Sequence, residues 1–244
     1  VLFITGAGMS ADSGLPTYRG IGGLYNSGVT EDGFAIEDAI SGPMLETRPA
    51  MAWKYLAQIE ESCRGAAAND GHRAIKEFEK YFDTWVLTQN IDGFHHDAGS
   101  TNIIAIHGDL HKLECTGCGK RQVVKDYSEM PYLRKGESDL EVFPRCGTCE
   151  ELVRPGVVLF GENLYDREIS TLQEQLGMGF DVVLSVGTTS TFPYIVAPVT
   201  ISRSLGKTTV EINPGETVVS NMVDYRIKHR AKDVLTALVK RMEA

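Results

Sequence analysis

Four of the five cysteines in this chain occur as two Cys-x-x-Cys pairs, Cys115 with Cys118 and Cys146 with Cys149. Two such pairs are typical of a closed tetrahedral zinc site, in which each pair lies on its own knuckle turn. A redox pair or free thiols are the alternatives, but neither requires the motif twice. Because four protein ligands leave no open coordination position, the spacing predicts one structural zinc ion rather than a catalytic one.

The rest of the chain alternates between two hydrophobic patterns. Apolar runs rich in β-branched residues predict buried strands, at 1–5, 85–88, 102–106, 182–186 and 208–212. Segments with helical periodicity lie among them, at 52–63, 75–82 and 231–242. This alternation predicts an α/β fold, a Rossmann-like doubly wound parallel sheet. The polar stretch that holds the paired cysteines interrupts it, so we expect a large domain, 1–111 and 157–244, with a small inserted zinc-binding module, 112–156.

Charge and hydropathy exclude several classes of function. The chain has 33 acidic and 24 basic residues and a net charge of −9, which argues against direct nucleic-acid binding because that affinity depends on Lys and Arg. An acidic surface does attract a basic protein or peptide. No apolar run approaches the roughly 20 residues of a membrane span. Reduced, metal-binding cysteines and the lack of a secretory signal favour a cytoplasmic location.

A glycine-rich turn follows the first predicted strand, with the sequence Gly6-Ala7-Gly8-Met9-Ser10-Ala11. This G-x-G-x-x-A pattern permits a tight turn, a close approach of backbone N–H groups to a pyrophosphate, and helix–strand packing. The acidic ribose ligand expected about 20 residues later is not evident. Gly14 and Pro16 instead break the following helix and predict an exposed loop, either over a cofactor or as an ordinary surface loop.

Polar residues also follow the later strands, where open α/β sheets bind their ligands. They are Gln89-Asn90-Ile91-Asp92, His107, Gly187-Thr188-Thr189-Ser190 and Asn213. A histidine at such a position has the right chemistry for a general base near neutral pH. An Asn-x-Asp sequence is also a common turn former, so a purely structural role for that segment stays open. The apolar run 154–162 includes Val158, Phe160, Gly161 and Glu162. It predicts either a buried structural strand or a strand that pairs with an extended substrate peptide.

Taken in order, these motifs resemble the sirtuin family of NAD-dependent protein-lysine deacylases. The matching stretches are GAGMSADSGLPTYRG, TQNIDGFHHDAG, HGDL, the two cysteine pairs, RPGVVLFGE, and GTTS with EIN. They span nearly the whole chain in the family's order. The resemblance implies that the large domain binds NAD, in a cleft toward the zinc module, and that an acyl-lysine protein or peptide is the substrate.

The resemblance also implies roles for individual residues. His107 would be the general base, with Asn90 and Asp92 as the other catalytic residues. The NAD site would comprise Gly6, Ala7, Gly8, Ser10, Asp12, Ser13, Pro16, Tyr18, Arg19, Gln89, Asn90, Ile91, Asp92, His107, Gly187, Thr188, Thr189, Ser190 and Asn213. Val158, Phe160, Gly161 and Glu162 would bind the peptide. The acyl oxygen would attack the nicotinamide ribose as nicotinamide leaves, and the acyl group would end on ADP-ribose.

Family members that remove malonyl or succinyl groups carry Tyr-x-x-Arg on the helix after the cofactor loop. Here the corresponding pair is Tyr55 and Gln58, or Leu56 and Ile59, depending on the register. Neither register supplies the arginine that binds an acyl carboxylate. We therefore predict a preference for neutral acyl groups, acetyl first. The alternatives are a mono-ADP-ribosyltransferase that uses the same NAD site, a non-enzymatic NAD-sensing module, and a Rossmann dehydrogenase.

Overall fold

The computed structural model describes residues 1–15, 29–130 and 143–244. These residues form two compact units. The parallel-sheet unit comprises Val1–Thr17, Ala66–His107 and Tyr165–Ala244, and the cysteine unit comprises Tyr18–Gly65 and Gly108–Leu164. The cysteine unit is thus larger than the inserted module that the sequence predicts. The domain limits 1–111, 157–244 and 112–156 stay a prediction.

The described residues form nine strands and nine helices. The strands are β1 Leu2–Thr5, β2 Trp85–Thr88, β3 Asn102–Ala105, β4 Gly108–Cys115, β5 Arg121–Val123, β6 Val153–Val157, β7 Val182–Val186, β8 Thr208–Ile212 and β9 Tyr225–Ile227. The helices are α1 Ala7–Ser10, α2 Ile36–Ala39, α3 Gly42–Thr47, α4 Pro49–Cys63, α5 Asp70–Phe78, α6 Phe94–Asp97, α7 Asp166–Met178, α8 Pro193–Ser204 and α9 Ala231–Met242. None of these helices is long and apolar enough to cross a membrane.

The parallel-sheet unit contains a six-stranded sheet in the order β3-β2-β1-β7-β8-β9, with every neighbouring pair parallel. Parallel neighbours need crossover connections, and helices lie between β1 and β2, between β2 and β3, between β3 and β7, and between β7 and β8. The order runs outward from β1 in one direction and then outward from β7 in the other. This is the doubly wound, Rossmann-like arrangement, so the predicted fold class is confirmed.

The hydrophobic core of this unit lies where α5 and α9 pack together beside the sheet. Phe3 of β1 is fully buried, and its ring lies 5.0 Å from that of Phe78 on α5 in an edge-to-face contact. Leu235 and Val239 complete the cluster from α9. The periodicity of the C-terminal helix therefore predicts its buried face correctly, since apolar residues at this spacing form one stripe along a helix.

The cysteine unit is built on the antiparallel sheet β5-β4-β6 and on helix α4. Trp53 of α4 is fully buried, and its indole Nε1 donates to the carbonyl oxygen of Val153 at 2.9 Å. Its ring also lies 5.6 Å from the ring of Tyr127. Burial of one large aromatic side chain with a satisfied N–H explains why α4 packs with β6, although nearly 100 residues separate them in the sequence.

Candidate active site

The predicted site residues of the parallel-sheet unit lie at the carboxyl ends of its strands. The register pairs Thr5 with both Thr88 and Val186, so β1, β2 and β7 end at the same level of the sheet. Ala105 pairs with Thr88, and Ile212 pairs with Val186, which brings the ends of β3 and β8 to that level too. The strand order reverses between β1 and β7, the position at which doubly wound sheets bind ligands.

The glycine turn after β1 packs against the turn after β7 with no room for a side chain. A Cβ atom on Gly8 would lie 2.8 Å from the Cα of Gly187, and one on Gly187 would lie 2.5 Å from the backbone nitrogen of Met9. Gly187 also has a φ of +58°, which favours glycine. The Gly8 N–H donates to the Gly187 carbonyl oxygen at 2.8 Å. These glycines are therefore required by the contact between the two turns.

Three polar side chains from separate motifs form one buried network. The Ser10 hydroxyl donates to the Asp92 carboxylate at 2.6 Å and accepts from the Asn90 amide at 3.1 Å. The Asn90 amide also donates to the Gly6 carbonyl oxygen at 3.0 Å, and the Phe94 N–H donates to Asp92. All three side chains are buried. The network holds the loop after β2 against the glycine turn, so Asn90 and Asp92 have a structural role within the site.

A second set of hydrogen bonds converges on Thr188. The Gln89 amide donates to the Thr188 hydroxyl at 2.7 Å, and the Asn213 amide donates to the Thr188 carbonyl oxygen at 3.0 Å. Ser190 is fully buried, with its hydroxyl 3.2 Å from that of Ser185, whereas Thr189 is exposed. The loops after β2, β7 and β8 are thus joined, and they present hydroxyl and amide groups at one edge of the sheet.

The imidazole of His107 is held at both nitrogen atoms. Nδ1 lies 3.0 Å from the Gln89 carbonyl oxygen, and Nε2 lies 2.7 Å from the hydroxyl of Tyr194. Because a carbonyl oxygen only accepts, Nδ1 carries the proton and Nε2 has the lone pair. Burial lowers the pKa of His107, while the bond to Gln89 opposes the shift. The ring is therefore neutral at pH 7, the form that accepts a proton.

The loop that follows the glycine turn is described only as far as residue 15. Ser13 accepts a hydrogen bond from the Asn69 amide at 3.0 Å, and Asp12 accepts one from Arg230 at 3.0 Å. Ala7 and Ile91 are half-buried at the same edge of the sheet. Three further residues of the predicted NAD site lie outside the described residues, namely Pro16, Tyr18 and Arg19.

Two residues of this site are missing from the sequence prediction. Asn69 is buried, and its amide also donates to the Met9 carbonyl oxygen at 2.9 Å, which ties α5 to the glycine turn. Its signal was the Asn-x-x-His pattern of a capping box, in which the backbone N–H of Asn69 donates to the ring of His72. Tyr194 has no such signal, because only the packing of α8 brings its hydroxyl to His107.

The predicted peptide-binding residues lie in the cysteine unit. Phe160 forms a bridge with Ser41: the Gly42 N–H donates to its carbonyl oxygen at 3.0 Å, and its own N–H donates to Ile40 at 3.3 Å. Glu162 makes a bidentate ion pair with Arg154, at 2.6 and 2.7 Å. Val158 is half-buried and Gly161 is exposed. The backbone of Phe160 and the carboxylate of Glu162 are therefore already bonded within this unit.

The four paired cysteines converge as predicted. The sulfur atoms of Cys115, Cys118, Cys146 and Cys149 all lie within 4.8 Å of one another. The Sγ–Sγ distance is 3.4 Å between Cys115 and Cys149 and 3.7 Å between Cys118 and Cys146. These distances exceed the roughly 2.05 Å of a disulfide bond, and they suit four thiolates around an ion with Zn–S bonds of about 2.3 Å. The donor set and its geometry fit one structural zinc ion.

The two cysteine turns share a backbone hydrogen bond: the N–H four residues after the first cysteine donates to that cysteine's carbonyl oxygen, at 3.1 Å in the first turn and 2.8 Å in the second. The N–H of Cys118 points to the sulfur of Cys115, and that of Thr148 points to the sulfur of Cys146, each at 3.4 Å. Backbone N–H groups of Thr148 and Cys149 lower the pKa of Cys146 to about 6, which favours the thiolate that binds metal. Four residues after the first cysteine of each pair, Gly119 and Glu150 have φ values of +68° and +62°.

Comparisons with known proteins agree with this arrangement. A sequence model of the Sir2 family matches residues 6–193. A protein of Pseudomonas aeruginosa named NAD-dependent protein deacylase 2 is 49% identical over 245 residues, covering 98% of this chain and 91% of that protein. A protein of Pyrococcus furiosus named NAD-dependent protein deacylase is 34% identical, covering 96% of this chain and 90% of that protein.

Solved structures share the fold of this chain. A mutant Sir2 homologue in complex with ADP-ribose has a TM-score of 0.85 and 31% identity, covering 100% of this chain and 91% of that one. A Sir2 homologue in complex with NAD has a TM-score of 0.82 and 31% identity, covering 100% and 88%. A Sir2 mutant with a deacetylated p53 peptide and 3′-O-acetyl-ADP-ribose has a TM-score of 0.82 and 25% identity, covering 98% and 92%. On its sequence, its fold and its four-cysteine cluster, the chain belongs to the Sir2 family.

Proposed function

We propose that this protein is an NAD-dependent protein-lysine deacylase that transfers a neutral acyl group, acetyl first, from lysine to ADP-ribose. The observation that carries the proposal is His107, neutral and held with its Nε2 lone pair at the ligand-binding edge of a Rossmann-like sheet. A module that only binds NAD has no need of a base at this position. The curated relatives, which are named deacylases, support the same reaction.

NAD is the proposed co-substrate, and the chain's residues fit it. Glycine turns, amides and hydroxyls from four strand ends meet where the strand order reverses, and such an edge suits the phosphates and riboses of a dinucleotide. Gly6, Ala7, Gly8 and Ser10 would lie beside the phosphates, and Thr188, Thr189, Ser190 and Asn213 beside the adenosine half. Gln89, Asn90, Ile91 and Asp92 would line the nicotinamide side. Asp12 would also contact NAD, and the segment from Ser13 to Arg19, with Pro16, Tyr18 and Arg19, would cover the nicotinamide ribose.

The chain's part in the chemistry is to orient groups and to move one proton. Bound NAD supplies an electrophilic ribose carbon and a good leaving group, nicotinamide. The Ser10–Asn90–Asp92 network would keep polar groups fixed near that carbon, which would lower the reorganisation needed as charge develops. Nε2 of His107 would accept a proton from a ribose hydroxyl. General-base assistance of this kind contributes about 10²- to 10⁴-fold to the rate.

The preference for neutral acyl groups rests on helix α4. Leu56 and Ile59, one of the two candidate pairs, are both apolar and buried. In the other register, the Tyr55 hydroxyl already donates to the Asp32 carboxylate at 2.5 Å. Neither pair offers a free cation or hydroxyl to an acyl carboxylate, and the Asp32 carboxylate is already paired with Lys54 at 2.6 Å. A neutral acyl group needs no such partner.

The acyl-lysine peptide is proposed to contact Val158, Phe160, Gly161 and Glu162. The backbone N–H and carbonyl oxygen of Phe160 are already hydrogen-bonded to Ile40 and Gly42. A substrate peptide would therefore pair with the main chain of the residues next to Phe160. The acidic chain favours basic lysine-rich partners over nucleic acid. The cytoplasm, where cysteines stay reduced, is the proposed location.

The test compares acetyl-lysine and succinyl-lysine peptides with NAD, following nicotinamide release and deacylated peptide. We expect faster turnover of the acetyl peptide, loss of activity of more than about 100-fold in His107→Ala, and a His107→Ala variant that stays folded at the assay temperature. His229→Ala, which changes an exposed histidine, is the matched control. Faster succinyl removal would overturn the acyl preference, and a fully active His107→Ala variant would overturn the assignment of the base.

A further inference from the structure

The lone pair of the proposed base is already occupied by a protein group. The Tyr194 hydroxyl lies 2.7 Å from Nε2 of His107, and Nδ1 is committed to the Gln89 carbonyl oxygen. Nε2 therefore accepts and the phenol donates. Burial raises the pKa of Tyr194 to about 12, so the phenol keeps its proton at neutral pH and remains a donor.

A neutral imidazole has only one acceptor position. Its single in-plane lone pair on Nε2 accepts one strong hydrogen bond, and a ribose hydroxyl must use the same lone pair before its proton can transfer. The Tyr194 hydroxyl and the ribose hydroxyl consequently compete for one site. They cannot both be bonded to Nε2 during the proton transfer.

We propose that Tyr194 is a positioning residue whose hydroxyl caps Nε2 of His107 and is displaced when the ribose hydroxyl binds. This inference rests on the proposed function, because it assigns the cap to the base of that reaction. The cap keeps the imidazole neutral and oriented, since a hydrogen bond to the neutral form disfavours protonation. Breaking this hydrogen bond also costs free energy, which the binding of NAD and the acyl-lysine peptide must supply.

The imidazole remains held when the cap leaves. Its Nδ1–H bond to Gln89 does not involve Tyr194, and its ring makes an edge-to-face contact with Phe192 at 5.8 Å. Phe192 in turn stacks on Tyr194 at 5.3 Å with an interplanar angle of 9°. Replacing the hydroxyl alone preserves these ring contacts, so Tyr194→Phe isolates the hydrogen bond.

The backbone of α8 keeps Tyr194 within reach of the base. Pro193 is the first residue of α8, where its fixed φ suits a helix start, and Tyr194 is the second. Displacing the cap therefore needs rotation of a half-buried side chain rather than movement of the helix. Among the described residues, the His107 imidazole is hydrogen-bonded to the Gln89 carbonyl oxygen and the Tyr194 hydroxyl, and to no ionised side chain.

The first test needs no catalysis. The pKa of His107 is measured by NMR on the full chain with ¹⁵N-labelled histidine, with His107→Ala used to assign its signals. We expect a higher pKa of His107 in Tyr194→Phe than in the wild type, and no change in Tyr225→Phe, which alters an exposed tyrosine on β9. An unchanged pKa in Tyr194→Phe would overturn the cap.

The second test measures kcat/KM with NAD and an acetyl-lysine peptide. Since a net protein hydrogen bond corresponds to a factor of about 2 to 10 in an equilibrium, Tyr194→Phe should raise kcat/KM by that factor at neutral pH and move the acid limb of its pH profile upward. An unchanged or lower kcat/KM would contradict displacement of the cap. If no variant shows deacylation, the proposed function fails, while the NMR measurement still decides whether the cap exists.

Discussion

Removing the Ser10 hydroxyl should lower the free energy of unfolding more than removing a buried hydroxyl that makes a single neutral hydrogen bond. Ser10 is 2% exposed and bonds two side chains, the Asp92 carboxylate at 2.6 Å and the Asn90 amide at 3.1 Å. In Ser10→Ala the buried Asp92 carboxylate loses a charge-assisted donor, and the Asn90 amide loses one of its two described acceptors. The loop after β2 then has a weaker attachment to the glycine turn.

The magnitude follows from the two lost bonds. A hydrogen bond to a charged group contributes about 1.5–3 kcal/mol, and a neutral one about 0.5–1.5 kcal/mol. The Asn90 bond to Gly6 and the Phe94 bond to Asp92 remain and limit the damage. We expect the free energy of unfolding to fall by about 3 kcal/mol, which leaves a domain of ordinary stability folded.

The assay is urea unfolding at pH 7, followed by circular dichroism, together with calorimetric titration of NAD. Ser100→Ala is the matched control, because the Ser100 hydroxyl is buried with no hydrogen-bond partner among the described residues. We expect Ser100→Ala to unfold at the wild-type urea concentration and Ser10→Ala to unfold earlier and bind NAD at least about 10-fold more weakly. Equal stability of the two variants, or full NAD affinity in Ser10→Ala, would refute the role of the network.

Three further outcomes follow from the structure. Gly187→Ala should lower the melting temperature strongly, because its Cβ would lie 2.5 Å from the Met9 nitrogen at a φ of +58°; a wild-type melting curve would contradict the packing. Metal analysis should find one zinc ion per chain, which Cys115→Ser loses and Cys63→Ser, a cysteine outside the cluster, retains. Burial lowers the pKa of His72 to about 4, so the unfolded chain binds this proton near pH 6.5 and the folded chain does not. His72 alone therefore lowers the free energy of unfolding by about 2 kcal/mol between neutral pH and pH 5, and buried His95, whose pKa is also lowered, adds to this loss. Urea unfolding should detect the loss, and a flat pH profile would contradict it.

The sequence predicts most of what depends on local pattern. Apolar strands followed by glycine or polar residues locate the edge of the sheet where the site lies, and the paired cysteines locate the metal cluster. His107 is predictable because it directly follows a buried strand. A histidine at the carboxyl edge of a parallel sheet can contact a bound ligand. These features need no knowledge of long-range packing.

Features that arise from tertiary packing are not predictable in this way. Trp53 bonds α4 to β6 through the Val153 carbonyl oxygen. The cysteine unit therefore includes α4, which lies outside the polar segment 112–156 that the sequence marks. Glu150 adopts a positive φ that its residue type does not suggest, because its turn repeats the one in which Gly119 has that conformation. Tyr194 reaches His107 only because α8 packs beside β7 and β8.

The central claim is best tested by mass spectrometry of a reaction that contains the protein, NAD and an acetyl-lysine peptide. The account predicts equal amounts of deacetylated peptide, free nicotinamide and O-acetyl-ADP-ribose from the wild type, and at least about 100-fold less deacetylated peptide and O-acetyl-ADP-ribose from His107→Ala. Acetyl loss without NAD, or ADP-ribose attached to a peptide or protein that keeps its acetyl group, would contradict it.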